Sequence, residues 1–204
     1  MNKGRVAVLL SGRGSNMEAI FRASQKTNAN FSIRLVISDQ ENAPGLRKAS
    51  AFNIPSHCLP LGKFMDKNSQ EREICDILQR EGIELICLAG YMRLIGPELL
   101  EKFPGRILNI HPSLLPSFPG LHAQKQALRQ GAKISGCTVH FVDSGLDSGP
   151  IIAQKAVRVL ADDNEEVLSQ RILRQEHDLY PCAIRLYFAG HLQIRGRTVI
   201  IADK

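Results

Sequence analysis

Apolar runs of strand length and stretches with helical periodicity alternate along this chain. Val6, Ala7, Val8, Leu9 and Leu10 form an unbroken apolar run, and residues 5–10 are predicted as a strand. Ser15 or Asn16 then caps a helix to about Gln25. A strand at 33–38 follows, and then a helix at 44–52 opened by Pro44 near its first turn. A short strand falls at 56–59. Residues 68–81 place Ile74, Ile77 and Leu78 on one helical face, and Gly82 ends that helix. Residues 83–89 form a continuous apolar strand, Gly96-Pro97 opens a short helix to about Phe103, and 106–110 reads as another strand. A helix at 121–130 closed by Gly131 precedes two strands, 134–142 and 151–160, the first of them alternating. A long helix at 164–189, bent near Pro181, leads to a terminal hairpin within 193–201 that turns at Arg195-Gly196. Strand–helix alternation followed by longer strands predicts an α/β fold. Its sheet is open, mostly parallel and Rossmann-like, with helices on both faces and an antiparallel or mixed C-terminal part. Residues 1–204 are expected to form a single domain.

Composition narrows the picture modestly. The 204 residues are 44% hydrophobic with no Trp and 5% aromatics, so the core is aliphatic, as in parallel sheets. The most apolar stretch, 85–92, is far too short to span a bilayer, and no signal peptide precedes the first strand. The five cysteines are widely spaced without a Cys-x-x-Cys pair, which suits buried reduced thiols in a cytoplasmic protein. The net charge of +6 fits small polyanions such as phosphates and polycarboxylates. No run of five like charges and no interleaving of aromatic with basic residues points to nucleic acid.

Three strand ends carry unusual chemistry. After the first strand comes Ser11-Gly12-Arg13-Gly14-Ser15-Asn16, a glycine turn opening a helix, where free N–H groups suit a phosphate. A plain glycine turn with a Ser/Asn cap explains the same residues. A dinucleotide loop is disfavoured because Met17 stands at its third glycine, and a P-loop is excluded because no Gly-Lys-Ser/Thr follows. After the most apolar strand comes Gly90-Tyr91-Met92-Arg93-Leu94-Ile95, where a flat ring can approach the backbone. Its bland alternative is an ordinary strand-to-helix connection.

The third is Asn109-Ile110-His111-Pro112-Ser113-Leu114-Leu115-Pro116. Asn109 and His111 are two apart, so an extended backbone points both the same way, and Pro112 ends the strand. An amide donor beside an imidazole at the end of a sheet strand suits chemistry that builds negative charge on a carbonyl oxygen. A structural histidine before a proline is the alternative. Asp147, in the glycine-rich loop 142–150, is placed to reach back and orient the His111 ring, whereas Asp143 is expected to cap the turn. The six histidines include no His-x-x-x-His pair, and Cys137 and His140 oppose each other along a strand, so no metal site is expected.

Taken in order, these segments resemble the phosphoribosylglycinamide formyltransferases of purine synthesis, within the formyltransferase family. The matching words are Ser11-Gly12-x-Gly14-Ser15-Asn16, Leu88-Ala89-Gly90-Tyr91-Met92-Arg93, Asn109 through Pro116 continuing to Pro119-Gly120-Leu121-His122, Leu146-Asp147-x-Gly149-Pro150, and Gln175-Glu176-His177-x-x-Tyr180-Pro181. The resemblance spans about residues 5 to 190. It implies that Gly14, Ser15 and Asn16 hold the ribonucleotide phosphate and Glu176 the ribose hydroxyls. It implies a folate site of Met92, Arg93, Leu94, Ile95 and Asn109, with Lys67 where some relatives carry a folate-contacting Arg. Asn109, His111 and Asp147 are then catalytic, with a phosphate-binding N-terminal half and a C-terminal half bringing the Asp147 loop and folate contacts. Two departures stand out: Arg13 replaces a small polar residue, and Ser148 stands where Gly is common, which stiffens the Asp147 loop.

The reaction so implied is formyl transfer from 10-formyltetrahydrofolate, as co-substrate, to the amine of glycinamide ribonucleotide. The tetrahedral intermediate is stabilised by Asn109 and by a protonated His111 paired with Asp147. The partners are these two small molecules, with no nucleic acid and no membrane, in a monomer or weak homodimer. Four other readings compete with it. A methionyl-tRNA formyltransferase is expected to need a further C-terminal domain beyond Lys204, and a formyltetrahydrofolate hydrolase an extra N-terminal one. A non-catalytic nucleotide-binding module would use only the 11–16 turn, and a dehydrogenase lacks its third glycine.

Overall fold

The computed structural model describes residues 3–202 and divides into two compact units, the first ending at Asn109 and the second beginning at Ile110. In the first unit, β1 (Gly4–Leu10), β2 (Phe31–Ser38), β3 (Ser56–Cys58), β4 (Leu85–Leu88) and β5 (Ile107–His111, whose last two residues open the second unit) are ordered β3-β2-β1-β4-β5. Every pairing among them is parallel. Helices α1 (Ser15–Ser24), α2 (Pro44–Ala51), α3 (Lys67–Arg80) and α4 (Pro97–Lys102) fill the crossovers. The chain builds outward from β1 to β3, then returns to add β4 and β5 on the other side. Right-handed crossovers therefore put α1 and α2 on one face and α3 and α4 on the opposite one. Phe21 of α1 stacks on Phe52 at the end of α2, centroids 4.3 Å apart.

Local signals set the boundaries. Pro stands in the first turn of α2 and of α4, where its missing N–H costs nothing. Asp66 caps α3 reciprocally with Ser69, and Gly82, with φ of 62°, takes the left-handed conformation that ends it. β1 and β4 are buried throughout except at Arg5, which explains their unbroken apolar sequences. They are also the neighbours between which strand order reverses, so the turn after β1 and the loop after β4 meet at the switch point of the sheet.

In the second unit, α5 (Ala123–Arg129) precedes β6 (Ile134–Phe141), which pairs antiparallel with β7 (Ile151–Arg158), with a register shift between Val139 and His140. The long α6 (Glu165–Phe188) stays helical through Pro181 and buries Leu168, Ile172, Leu179, Ala183 and Ile184, a stripe at helical spacing. The terminal hairpin, β8 (Leu192–Arg195) and β9 (Thr198–Ile201), turns at Gly196 as the sequence predicted, and β9 runs parallel to β7. The Leu115-Pro116 peptide is cis. All five cysteines are free; Cys75, Cys87 and Cys137 are buried, and Cys58 and Cys182 are half-buried. Among the described residues no helix is long and apolar enough to cross a membrane.

Candidate active site

The turn after β1 follows from two glycines. Gly14 precedes α1 with φ of 67°, a conformation that costs glycine little. A Cβ there would lie 2.7 Å from Gly45 Cα, so the turn is packed directly on the start of α2. Gly45 N–H also donates to the Gly12 carbonyl at 3.0 Å. Ser15 and Asn16 form the first turn of α1, and the positive end of a helix suits an anion. Arg13 is exposed beside them.

The loop after β4 is anchored by side chains the sequence reading did not connect to it. Arg93 Nε donates to Asp39 Oδ2 at 2.9 Å, and Asp39 is 4% exposed at the end of β2. Burial, more than the neighbouring Asp39 charge, pushes the Tyr91 phenol well above its ordinary range. Met92 and Leu94 remain 64% and 63% exposed, an apolar wall of the kind a flat ring can lie against. Gly96 N–H, which follows Ile95, donates to Glu71 Oε1 at 2.7 Å, and Lys67 Nζ lies 3.6 Å from the same oxygen. Lys67 is thus engaged at the start of α3 and presents its charge alongside a buried carboxylate.

In the second unit, the structure brings His111 and Asp147 together. His111 is 5% exposed, and its Nδ1 lies 3.3 Å from Asp147 Oδ2. Its Nε2 lies 2.8 Å from the Phe118 carbonyl, which only accepts, so Nε2 carries the proton. Asp147 Oδ2 also accepts from Gly120 N–H at 2.8 Å. Burial is the largest single influence on Asp147 and raises its pKa. The His140 ring, the Gly120 N–H and the His111 charge together outweigh it and hold the carboxyl at about 2. His111 moves the other way from the sequence expectation. Its burial outweighs the Phe118 carbonyl and Asp147, so its pKa falls below the usual imidazole value.

His140 is the residue that the sequence reading missed. Its Nε2 lies 3.7 Å from Asp147 Oδ1, and its Nδ1 lies 2.8 Å from the Phe141 carbonyl. The pairing of β6 with β7 shifts register here, skipping Ile152 of β7, so His140 lies where the two strands pair irregularly. Asp143 does cap the turn as expected: its Oδ1 accepts from Gly145 N–H and from Ser148 Oγ, at 3.0 and 2.7 Å. Ser148 thereby ties the Asp147 loop to Asp143.

Beneath His111, Thr138 Oγ1 donates to the Ser113 carbonyl at 2.7 Å and accepts from Leu115 N–H at 3.1 Å. Gln154 Nε2 donates to Thr138 Oγ1 and to the Leu115 carbonyl, at 3.0 and 2.8 Å. This network fixes the segment between His111 and Phe118. Asn109 is half-buried on β5, two residues before His111. Glu176 is 6% exposed on α6. Among the described residues no cluster of three or more His, Cys, Asp and Glu is arranged to hold a metal ion.

A buried imidazole beside a carboxylate at a strand end, two residues after an amide donor, is an arrangement suited in an α/β enzyme to attack on a carbonyl carbon. Comparison narrows the class. Residues 4–184 match the formyl transferase family, and the chain belongs to that family. It is 46% identical over 181 residues to the phosphoribosylglycinamide formyltransferase of Bacillus subtilis, covering 89% of this chain and 93% of that one. It is 45% identical over 188 residues to the trifunctional purine biosynthetic protein adenosine-3 of Drosophila melanogaster, covering 91% of this chain but only 14% of that protein. The crystal structure of glycinamide ribonucleotide transformylase 1 from Symbiobacterium toebii superposes with a TM-score of 0.97 at 47% identity, over 98% of this chain and 95% of that one. The mostly parallel sheet, the helices on both faces and the antiparallel C-terminal strands are common to both.

Proposed function

We propose that this chain transfers the formyl group of 10-formyltetrahydrofolate to the primary amine of glycinamide ribonucleotide. The observation that carries the reading is the buried His111–Asp147 pair, 3.3 Å apart, with His111 two residues after Asn109, in a chain of the formyl transferase family. The amine nitrogen attacks the formyl carbon, and the carbonyl electron pair moves onto oxygen. Asn109 donates to that oxyanion. His111, donating from Nε2 and paired through Nδ1 with Asp147, stabilises the same oxygen, and the proton released by the attacking nitrogen leaves through water held by the Asp147 carboxylate. The developing oxyanion replaces the Phe118 carbonyl as acceptor for the Nε2–H. As the intermediate collapses, the bond from carbon to the folate nitrogen breaks and that nitrogen receives the proton, so atoms and charge balance.

Gly14, Ser15 and Asn16 hold the ribonucleotide phosphate, with Glu176 on the ribose. Met92, Arg93, Leu94 and Ile95 line the pterin site, with Lys67 beyond it. Support comes from the helix start at Gly14 and from the exposed apolar side chains of the 92–95 loop. Positioning and fixed donors suffice for this scheme, so no metal takes part. The partners are the two small molecules alone, in the cytoplasm, and the chain acts as a monomer or weak homodimer.

The test mixes purified protein, glycinamide ribonucleotide and the formyl folate in a metal chelator, and follows the formylated ribonucleotide. Product at the rate of folate consumption supports the reading. Formate released without ribonucleotide product would identify a hydrolase instead, and binding of ribonucleotide without turnover would identify a non-catalytic module.

A further inference from the structure

Ser11 opens the turn that carries Gly14, Ser15 and Asn16, and its hydrogen bonds lead elsewhere. Its N–H donates to the Gly90 carbonyl at 2.9 Å. Its Oγ accepts from Met92 N–H, also at 2.9 Å. Gly90 has φ of 74°, the left-handed conformation a chain takes where it must turn sharply, so the loop reverses against Ser11. One residue later, Arg93 is held by Asp39. The first residue after β1 and the first after β2 therefore brace the loop that follows β4, from the end of the sheet at which strand order reverses. Neither residue needs a ligand to make these bonds.

We propose that Ser11 is a positioning residue for the folate side of the site, although it belongs by sequence to the phosphate turn. The inference rests on the reading of residues 92–95 as the folate wall. Its hydroxyl fixes the Met92 amide and hence the direction in which the exposed Met92 and Leu94 side chains leave the backbone. Without that hydroxyl, the loop samples orientations in which the ring has no flat wall to meet. The ribonucleotide end, built from Gly14 onward and braced by Gly45, stays as it was.

The experiment varies each substrate against wild type, Ser11→Ala, Ser11→Thr and Leu94→Asp. It also measures hydrogen exchange at the Met92 amide by NMR and thermal melting of each variant. Ser11→Ala is expected to raise the KM for formyl folate about three- to tenfold, the range for one lost hydrogen bond. The KM for ribonucleotide and kcat stay near wild type, and Met92 exchange accelerates. Ser11→Thr, which keeps the hydroxyl, restores the folate KM. Three outcomes overturn the proposal: unchanged Met92 exchange in Ser11→Ala, a raised KM for ribonucleotide in place of folate, or a Thr variant that folds normally yet matches Ala. An unchanged folate KM in Ser11→Ala also overturns it when Leu94→Asp raises that KM. If Leu94→Asp is silent as well, the folate reading itself fails.

Discussion

Asp147→Asn isolates one charge with little collateral change. Asp147 has φ of 49°, a left-handed backbone that Asn adopts about as readily as Asp, so the substitution adds no strain of its own. The amide oxygen can still accept from Gly120 N–H. What disappears is a carboxylate held at about 2 against an ordinary value of 3.8, with a side chain 12% exposed. Holding that carboxyl at about 2 in the folded chain corresponds to about 2 kcal/mol of folding stability. The sign is fixed by the direction of the shift. The folded carboxyl is the stronger acid, so its contribution is complete above about pH 4 and disappears as pH falls towards 2. Urea unfolding of wild type and variant at several pH values is the assay. At pH 7 the variant should be less stable by about 2 kcal/mol, and the two should converge near pH 2. A gap that stays constant across that range would refute the assignment of the stabilisation to an ionised Asp147. Turnover of the same variant should fall by about 10²-fold or more, as for loss of a positioned acid–base partner.

Other perturbations probe neighbouring parts. His111→Gln should lower turnover about 10²- to 10³-fold. Because the His111 pKa is lowered on folding, the unfolded chain takes up its proton first as pH falls below about 6.5, so wild type loses stability there and the variant's curve should be flatter between pH 7 and 5. Thr138→Val removes the hydroxyl that joins Ser113, Leu115 and Gln154; urea unfolding should show a loss of about 1–3 kcal/mol, with turnover reduced because the segment between His111 and Phe118 loosens. Gly14→Ala forces a Cβ to within 2.7 Å of Gly45 Cα at a positive φ, so calorimetry should show weakened ribonucleotide binding while folate affinity is spared.

The order of elements was legible because each boundary carries a local cause: Pro44 and Pro97 at helix starts, Gly82 and Gly131 at helix ends, Gly196 in the hairpin. The neighbourhood of His111 was legible in part. Asp147 reaching the ring, and Asp143 serving only the turn, both follow from loop length and turn chemistry. What escaped is what periodicity cannot encode. His140 approaches Asp147 to 3.7 Å beside a register shift between β6 and β7, and alternation along the strand gives no sign of that contact. The Phe118 carbonyl meets His111 only because Thr138 and Gln154 fold the intervening segment back. A nearby carboxylate is visible in sequence, but the degree to which the ring is shut away from water is a property of the packed chain.

The thiols turn the molecule into its own reporter. Burial pushes Cys75 to about 11 and Cys137 to about 12, so these two present almost no reactive thiolate in the native protein, and Cys87 is enclosed away from any reagent. Only Cys58 and Cys182 are partly open to an alkylating reagent. Counting labels by mass therefore separates intact from opened molecules without any introduced probe. Because Cys75 and Cys87 belong to the unit that ends at Asn109 and Cys137 to the one that begins at Ile110, the sequence in which the three become modified under mild denaturant reports which unit loosens first.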